Sequence, residues 1–198
     1  MPVDTHETHN PFATFAPLPV GVTFEGQEQG EKIILLLRAH IITLVPAVIT
    51  TIFLFLVPIF FPSLLSIIGV SWSDFFDSGQ IFLITVFWSL FVFGYAFYRF
   101  IFWYFNVYLI TNERVVDIDF RGLLHKEVAY AKLNQIQDVS PKTIGFFGTF
   151  FHYGDIYLQT AGAKVEFEFH HVPRPNEVAR QILEQVRIEE GEPPGKVG

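Results

Sequence analysis

Two stretches of the chain show no polar period at all. Ile41 to Phe61 (IITLVPAVITTIFLFLVPIFF) and Ile81 to Tyr98 (IFLITVFWSLFVFGYAFY) are apolar on every side, and no Asp, Glu, Lys or Arg occurs between Arg38 and Asp74 or between Asp77 and Arg99. A hydrocarbon core about 30 Å thick offers backbone N–H and C=O groups no partner, so a segment that crosses it must be a helix of about 20 apolar residues. Both stretches meet that demand and predict transmembrane helices. Pro46 and Pro58 are expected to kink the first, which membrane helices tolerate. Pro62 to Asp77 (PSLLSIIGVSWSDFFD) carries Ser, Gly, Trp72 and two acids and predicts a connecting loop. Phe100 to Phe105 (FIFWYF) carries the second helix to headgroup level, where Trp103 and Tyr104 suit a half-polar environment and Arg99 can snorkel. Arg38 is placed as the matching anchor before the first span.

From Asn106 onward the period changes to alternation, the mark of strands with one buried face. Val107 and Leu109 alternate first. Val116, Ile118 and Phe120 then point one way and Asp117 and Asp119 the other, with a turn at Gly122. Val128 and Tyr130 continue, followed by Leu133, Ile136 and Val139. Ile156, Leu158 and Thr160 form one arm of a hairpin that turns at Ala161-Gly162, and Val165, Phe167 and Phe169 form the other. After Pro173 and Pro175 the spacing becomes Val178, Ile182, Val186, which predicts an amphipathic helix with proline in its first turn. Glu31 to His40 (EKIILLLRAH) fits either an interfacial helix or an added strand. Residues 1–30, with four prolines and no sustained period, predict a flexible tail, as does 189–198. The expected organisation is thus tail 1–30, juxtamembrane segment 31–40, first span 41–61, extracytoplasmic loop 62–80, second span 81–104, soluble domain 105–188 and tail 189–198.

Composition sharpens this picture. Of 198 residues 51% are hydrophobic, 24 are Phe and only 17% are charged, too apolar for one water-soluble domain. The first basic side chain is Lys32, so the first apolar run lacks the basic lead of a secretory signal and is expected to be a retained anchor. Lys32 and Arg38 precede the first span and Arg99 ends the second, whereas the connecting loop has only acids. Basic flanks stay in the cytoplasm, which predicts a multi-pass cell-membrane protein with both termini cytoplasmic. The net charge of −7 speaks against nucleic acid as a partner. The absence of cysteine removes disulfides, thiolate metal sites and Cys nucleophiles.

The order of short matches from Tyr108 (YLITNERVVDID) through Gly122, LNQIQDV at Leu133 to Val139, Gly145, and YGDIYLQTAG at Tyr153 to Gly162, to the proline-led helix, resembles bacterial pleckstrin-homology-like domains of the YdbS type. Those also follow a membrane hairpin, and Glu31 to His40 looks like their lead-in. The resemblance covers nearly the whole chain after residue 30 and implies a membrane protein. In it, a two-helix transmembrane hairpin is followed by a mainly-β PH-like domain, a curved antiparallel sheet capped by a C-terminal helix. It implies little about activity, because the fold serves many binding roles.

The search for chemistry finds no phosphate-cradling Gly loop, no HExxH and no nucleophile elbow, so the chain is expected to be non-enzymatic, without cofactor or metal. His170 and His171 are neighbours on a strand and should face opposite ways, an exposed His170 and a packed His171. Asp117 and Asp119 are expected to be a solvated strand face. Two features invite a functional reading. In Gly145 to Tyr153 (GFFGTFFHY), Phe146, Phe147, Phe150 and Phe151 either fill the open end of the sheet or form a membrane or partner contact. Arg121 and Lys126, with His125, bracket an early turn where lipid-reading PH domains hold a headgroup. Two permanent charges in an acidic domain predict a solvated turn and no specific phosphoinositide, the alternative being weak attraction to anionic lipid. The function expected is a membrane-anchored binding or scaffolding module whose partners are the bilayer and a protein partner or homo-oligomer. The alternative is an accessory subunit of a membrane transporter or enzyme complex.

Overall fold

The computed structural model describes residues 8–120, 122, 125–143, 145–161 and 166–191. The chain divides into two compact units: Ile42–Trp103, and Met1–Ile41 together with Tyr104–Gly198.

The first unit is a pair of apolar helices, α1 (Val45–Ile67), led in by a 3-10 turn at Ile41–Leu44, and α2 (Ser78–Phe105). With that turn the two helical segments run 27 and 28 residues, each long enough to cross a bilayer. Asp77 starts α2 with a reciprocal cap: its N–H donates to Gln80 Oε1 at 3.0 Å and its Oδ1 accepts the Gln80 N–H at 2.9 Å. Helix α1 runs past Pro62 to Ile67, six residues beyond the expected end of the first span at Phe61. The prolines explain why it survives. Pro58 and Pro62 stand four apart, so the carbonyls they release, those of Leu54 and Pro58, lie on one face. The indole Nε1 of Trp88 donates to the Leu54 carbonyl at 2.8 Å, replacing the N–H that Pro58 lacks. The hydroxyls of Thr50, Thr51, Thr85 and Ser89 bond back to carbonyls four residues earlier and so carry their own partners.

The second unit is mainly β. Among the described residues, β1 (Phe15–Pro17), β2 (Ile33–Leu37), β3 (Val107–Thr111), β4 (Arg114–Phe120) and β5 (Lys126–Lys132) form one antiparallel sheet in that order. A second sheet has the order β6 (Ile136–Lys142), β7 (Tyr153–Thr160), β8 (Glu166–Pro173). A short helix, α3 (Gly145–Phe151), joins β6 to β7, and α4 (Pro175–Glu189) closes the chain's described part. Thus the described β unit is two antiparallel sheets with a C-terminal helix, the form that the sequence resemblance implies. The core runs through both sheets and α4, with Leu35, Ile110, Leu158, Phe169 and Ile182 fully buried. The expected hairpin has Leu158 opposite Phe167 and Ile156 opposite Phe169; Gly162 and Val165 of that expectation lie outside the described residues. Val178, Ile182 and Val186 form the buried stripe of α4.

Two expectations are corrected here. Residues 8–30 are not a loose tail: Ala16 is buried on β1, and Ala13 and Phe24 pack with Leu36, Leu109 and Val116 on the reverse face of the first sheet. That sheet is therefore covered on both faces, which accounts for the unbroken apolar run of β2, whose alternate side chains enter two different clusters. Of the two forms open to residues 31–40, the added strand is the one adopted. Arg38, expected among headgroups, is buried instead: its Nε donates to the Tyr104 carbonyl and its Nη1 to the Ala13 carbonyl, each at 2.8 Å, and its guanidinium lies 4.6 Å over the Tyr104 ring. The N-terminal segment supplies the carbonyl that makes this burial affordable.

Candidate functional site

Helix α3 is amphipathic the wrong way round for a soluble domain. Its small residue Gly148 faces the sheet, where a Cβ would stand 3.0 Å from the Tyr153 carbonyl oxygen and 3.4 Å from the Thr143 methyl. Glycine thus lets the helix lie flat on the domain. The opposite arc carries Phe146, Phe147, Phe150 and Phe151, exposed by 77, 63, 65 and 37%. These rings pack on one another, Phe146 on Phe150 and Phe147 on Phe151 as stacked i, i+4 pairs, and Phe150 edge-on to Phe151 at 4.9 Å. Of the two roles open to this segment, filling the end of the sheet is ruled out, because the rings face outward.

Phe151 also lines a cavity of about 670 Å³, whose wall includes Phe15, His40, His152, Pro173 and Arg174. Three backbone features shape it. His152, His171 and Arg174 hold φ of 56°, 54° and 50°, unusual for residues other than glycine. The Arg174 N–H donates to the His152 carbonyl at 2.8 Å, which ties the end of α3 to the start of α4. Arg174 sits between Pro173 and Pro175, its guanidinium 5.3 Å above the Phe15 ring and 3.5 Å from Glu177, a long ion pair that leaves most of its donors uncommitted. His40 donates its backbone N–H to the His171 carbonyl at 2.7 Å, and its ring stacks on Tyr153 at 5.5 Å. Burial holds the His40 imidazole below its ordinary pKa, so it is neutral at pH 7. The cavity therefore offers one permanent cation, two imidazoles and aromatic walls: a place for an anion with an apolar flank.

The other sequence candidates fare differently. Arg121 lies outside the described residues. Lys126 pairs with Glu25 at 2.9 Å, which also holds the Glu25 carboxyl below its ordinary pKa, so this lysine is already matched. Arg99 is exposed on α2, while Trp103 is buried and Tyr104 is half-buried under Arg38. His171, expected to be packed, is exposed, with its ring stacked on Tyr153 at 5.8 Å. A bulge sets Asp155 opposite both histidines, its carboxylate accepts the His171 N–H at 2.7 Å, and both imidazoles are exposed with centroids 6.3 Å apart. The paired acids are not simply solvated either, since Asp119 accepts from Asn106 Nδ2 at 2.9 Å. Among the described residues no group of three or more His, Asp or Glu side chains is placed to hold a metal ion. Sequence reading missed His40, His152 and Arg174 as a set because they come from three distant segments. The one local signal is the Pro-Arg-Pro run, which fixes the arginine's backbone.

The family model described as Bacterial PH domain matches residues 39–186, a span that includes both apolar helices and most of the β unit but not β1 or β2. Comparison with curated proteins gives no match. Among solved structures, a DUF1696 family protein with a pleckstrin-homology domain from Shewanella loihica PV-4 is similar at 21% identity over 41% of this chain and 68% of that one, with a TM-score of 0.30.

Proposed function

We propose that this chain, which belongs to the bacterial PH-domain family, is a membrane-anchored, non-enzymatic binding module. In this reading the PH-like domain works at the membrane surface on a partner docked there, whether a protein, a sister subunit or the lipid itself. The observation that carries it is the surface of the helix pair. Phe53, Ile67, Phe87 and Phe93 are exposed by 68, 79, 69 and 68%, and many apolar neighbours accompany them. Leaving each such side chain in water forgoes about 1.5–3 kcal/mol, and a soluble monomer does not carry an apolar surface of this extent. Lipid removes the difficulty. The self-satisfied hydroxyls and the Trp88 bond to the Leu54 carbonyl are what such a solvent demands. The bias of Lys32, Arg38 and Arg99 against Asp74 and Asp77 supports cytoplasmic termini. On the domain, the Arg174 guanidinium and the outward α3 rings are groups suited to holding a ligand.

The test is flotation after an alkaline carbonate wash. The full chain is expected to stay with the lipid fraction, and a reporter active only outside the cytoplasm is expected to work when fused after residue 75 and not after residue 190. Release of the chain by carbonate overturns the anchoring, and the opposite reporter pattern overturns the orientation.

A further inference from the structure

We infer that two copies of this chain exchange their N-terminal arms, β1 of each pairing with β2 of the other. The arm is residues 8–17 and the hinge is residues 18–21. Every residue involved belongs to the β unit, so the inference goes beyond the membrane-anchored reading and does not depend on it.

The hinge is the strained part. Leu18 holds a φ of 41° between Pro17 and Pro19. A left-handed backbone is unfavourable for any residue with a β-carbon, and a following proline favours an extended residue before it. The Pro-Leu-Pro run therefore suits a straight polyproline path. In the closed chain it bends instead at Leu18, and Gly21, with a φ of 72°, completes the reversal. The arm beyond this hinge cannot simply let go. Arg38 is buried, and the arm accepts two of its hydrogen bonds: its backbone N–H donates to the Thr14 carbonyl at 2.9 Å and its Nη1 to the Ala13 carbonyl at 2.8 Å. Ala16 is buried in the cluster on the reverse face of the first sheet, and the Phe15 ring lies 5.3 Å from the Arg174 guanidinium. A freed arm would strand a buried guanidinium and uncover an apolar face. Exchange avoids both, because the second copy's arm makes the same contacts while the hinge straightens. A short strained hinge at the base of a docked segment is the condition that favours such a swap. The arm also lends Ala13, Thr14 and Phe15 to the wall of the cavity that contains Arg174. In the exchanged pair each cavity is thus completed by the second copy, and a ligand held by Arg174 meets residues of two chains. Neither β1 nor β2 falls within the span 39–186 that matches the family model, so the arm is a feature that the family match does not account for.

The absence of native cysteine makes a direct test possible. Phe15 and Leu37 are cross-strand partners in β1 and β2. The bond from Arg38 to Thr14 makes theirs the adjoining pair without hydrogen bonds, where Cα atoms stand about 4.5 Å apart, within disulfide range. Two full-length chains with different tags, one carrying Phe15→Cys and the other Leu37→Cys, are expressed together, oxidised in the membrane and separated without reductant. Closed chains never bring these two thiols together, so a disulfide joining the two tags is the result expected from exchange. A linked band no stronger than that from two chains both carrying Phe15→Cys counts as none. One chain carrying both substitutions, expressed alone, shows whether the pair can close. If it closes within the chain and the mixed chains give no linked band, exchange is overturned. If it does not close at all, the unsubstituted chain in detergent decides, by its mass from light scattering over a range of concentrations. A dimer whose association Leu18→Gly weakens roughly a hundredfold, about tenfold at each of two relaxed hinges, supports exchange. A monomer throughout, or a dimer that Leu18→Gly leaves unchanged, overturns it.

Discussion

Glu31 carries a concentrated set of bonds in the domain. Its side chain is fully buried, and it accepts from Thr111 Oγ1 at 2.8 Å, from Arg114 Nε at 2.9 Å and Nη2 at 2.7 Å, and from the Glu28 N–H at 2.9 Å. Arg114 also lies over the rings of Phe24 and Tyr130. Burial pushes the Glu31 carboxyl up, but the bonds from Arg114, Glu28 and Thr111 together outweigh it and hold the pKa below the ordinary value of 4.5. A depressed folded-state pKa adds stability that is complete above the ordinary glutamate range and is lost as pH falls through the lower folded value. Glu31→Ala strands Arg114 and should cost about 2–3 kcal/mol of domain stability in denaturant titration. The wild type should lose part of its stability below pH 4.5 and Glu31→Gln should lose less over that range. A parallel acid response in both would contradict this account of the bond set. Thr111 and Arg114 sit inside the YLITNER run that resembles the family, but their role was illegible there because Glu31 lies 83 residues before Arg114.

At the scale of elements, what the sequence made legible tracks how local the determining physics is. The hairpin β7–β8 and the stripe of α4 follow from alternation and four-residue spacing, and both are in place. The strand β1 is three residues long and contains a proline, so its pairing with β2 has no periodic signature and depends on a partner strand twenty residues away. The orientation of α3 was likewise undecidable from composition: four phenylalanines suggest burial, and only the close approach of Gly148 to Tyr153 reveals that the small face is the inner one. In the helix pair, Trp88 tests whether the broken ladder of α1 is repaired from α2. Trp88→Phe leaves the Leu54 carbonyl without a donor in an apolar surrounding and should lower the stability of the pair by about 1 kcal/mol. Thermal unfolding in detergent, followed by the helical signal, measures it. An unchanged midpoint would mean that the carbonyl released by Pro58 costs nothing.

For the whole molecule, membership in the bacterial PH-domain family goes with a sequence in two parts, one apolar on every side and the other alternating between apolar and polar. The two parts are distinguishable by residue type alone, which is why the helices and the β unit were both legible. Arg38 shows where that division misleads: a charge beside an apolar run is expected at a headgroup, yet here it is satisfied by backbone carbonyls of Ala13 and Tyr104. Lipid as the solvent of α1 and α2 is the claim on which the functional reading rests, and single cysteines in a chain that has none test it most directly. Phe53→Cys and Phe93→Cys, compared with Glu189→Cys at the exposed end of α4, are treated in sealed inside-out vesicles with a membrane-impermeant maleimide. The account predicts prompt labelling at position 189 and protection at 53 and 93 until detergent and denaturant are added. Labelling at 53 and 93 at the rate of 189, in folded protein, would contradict it.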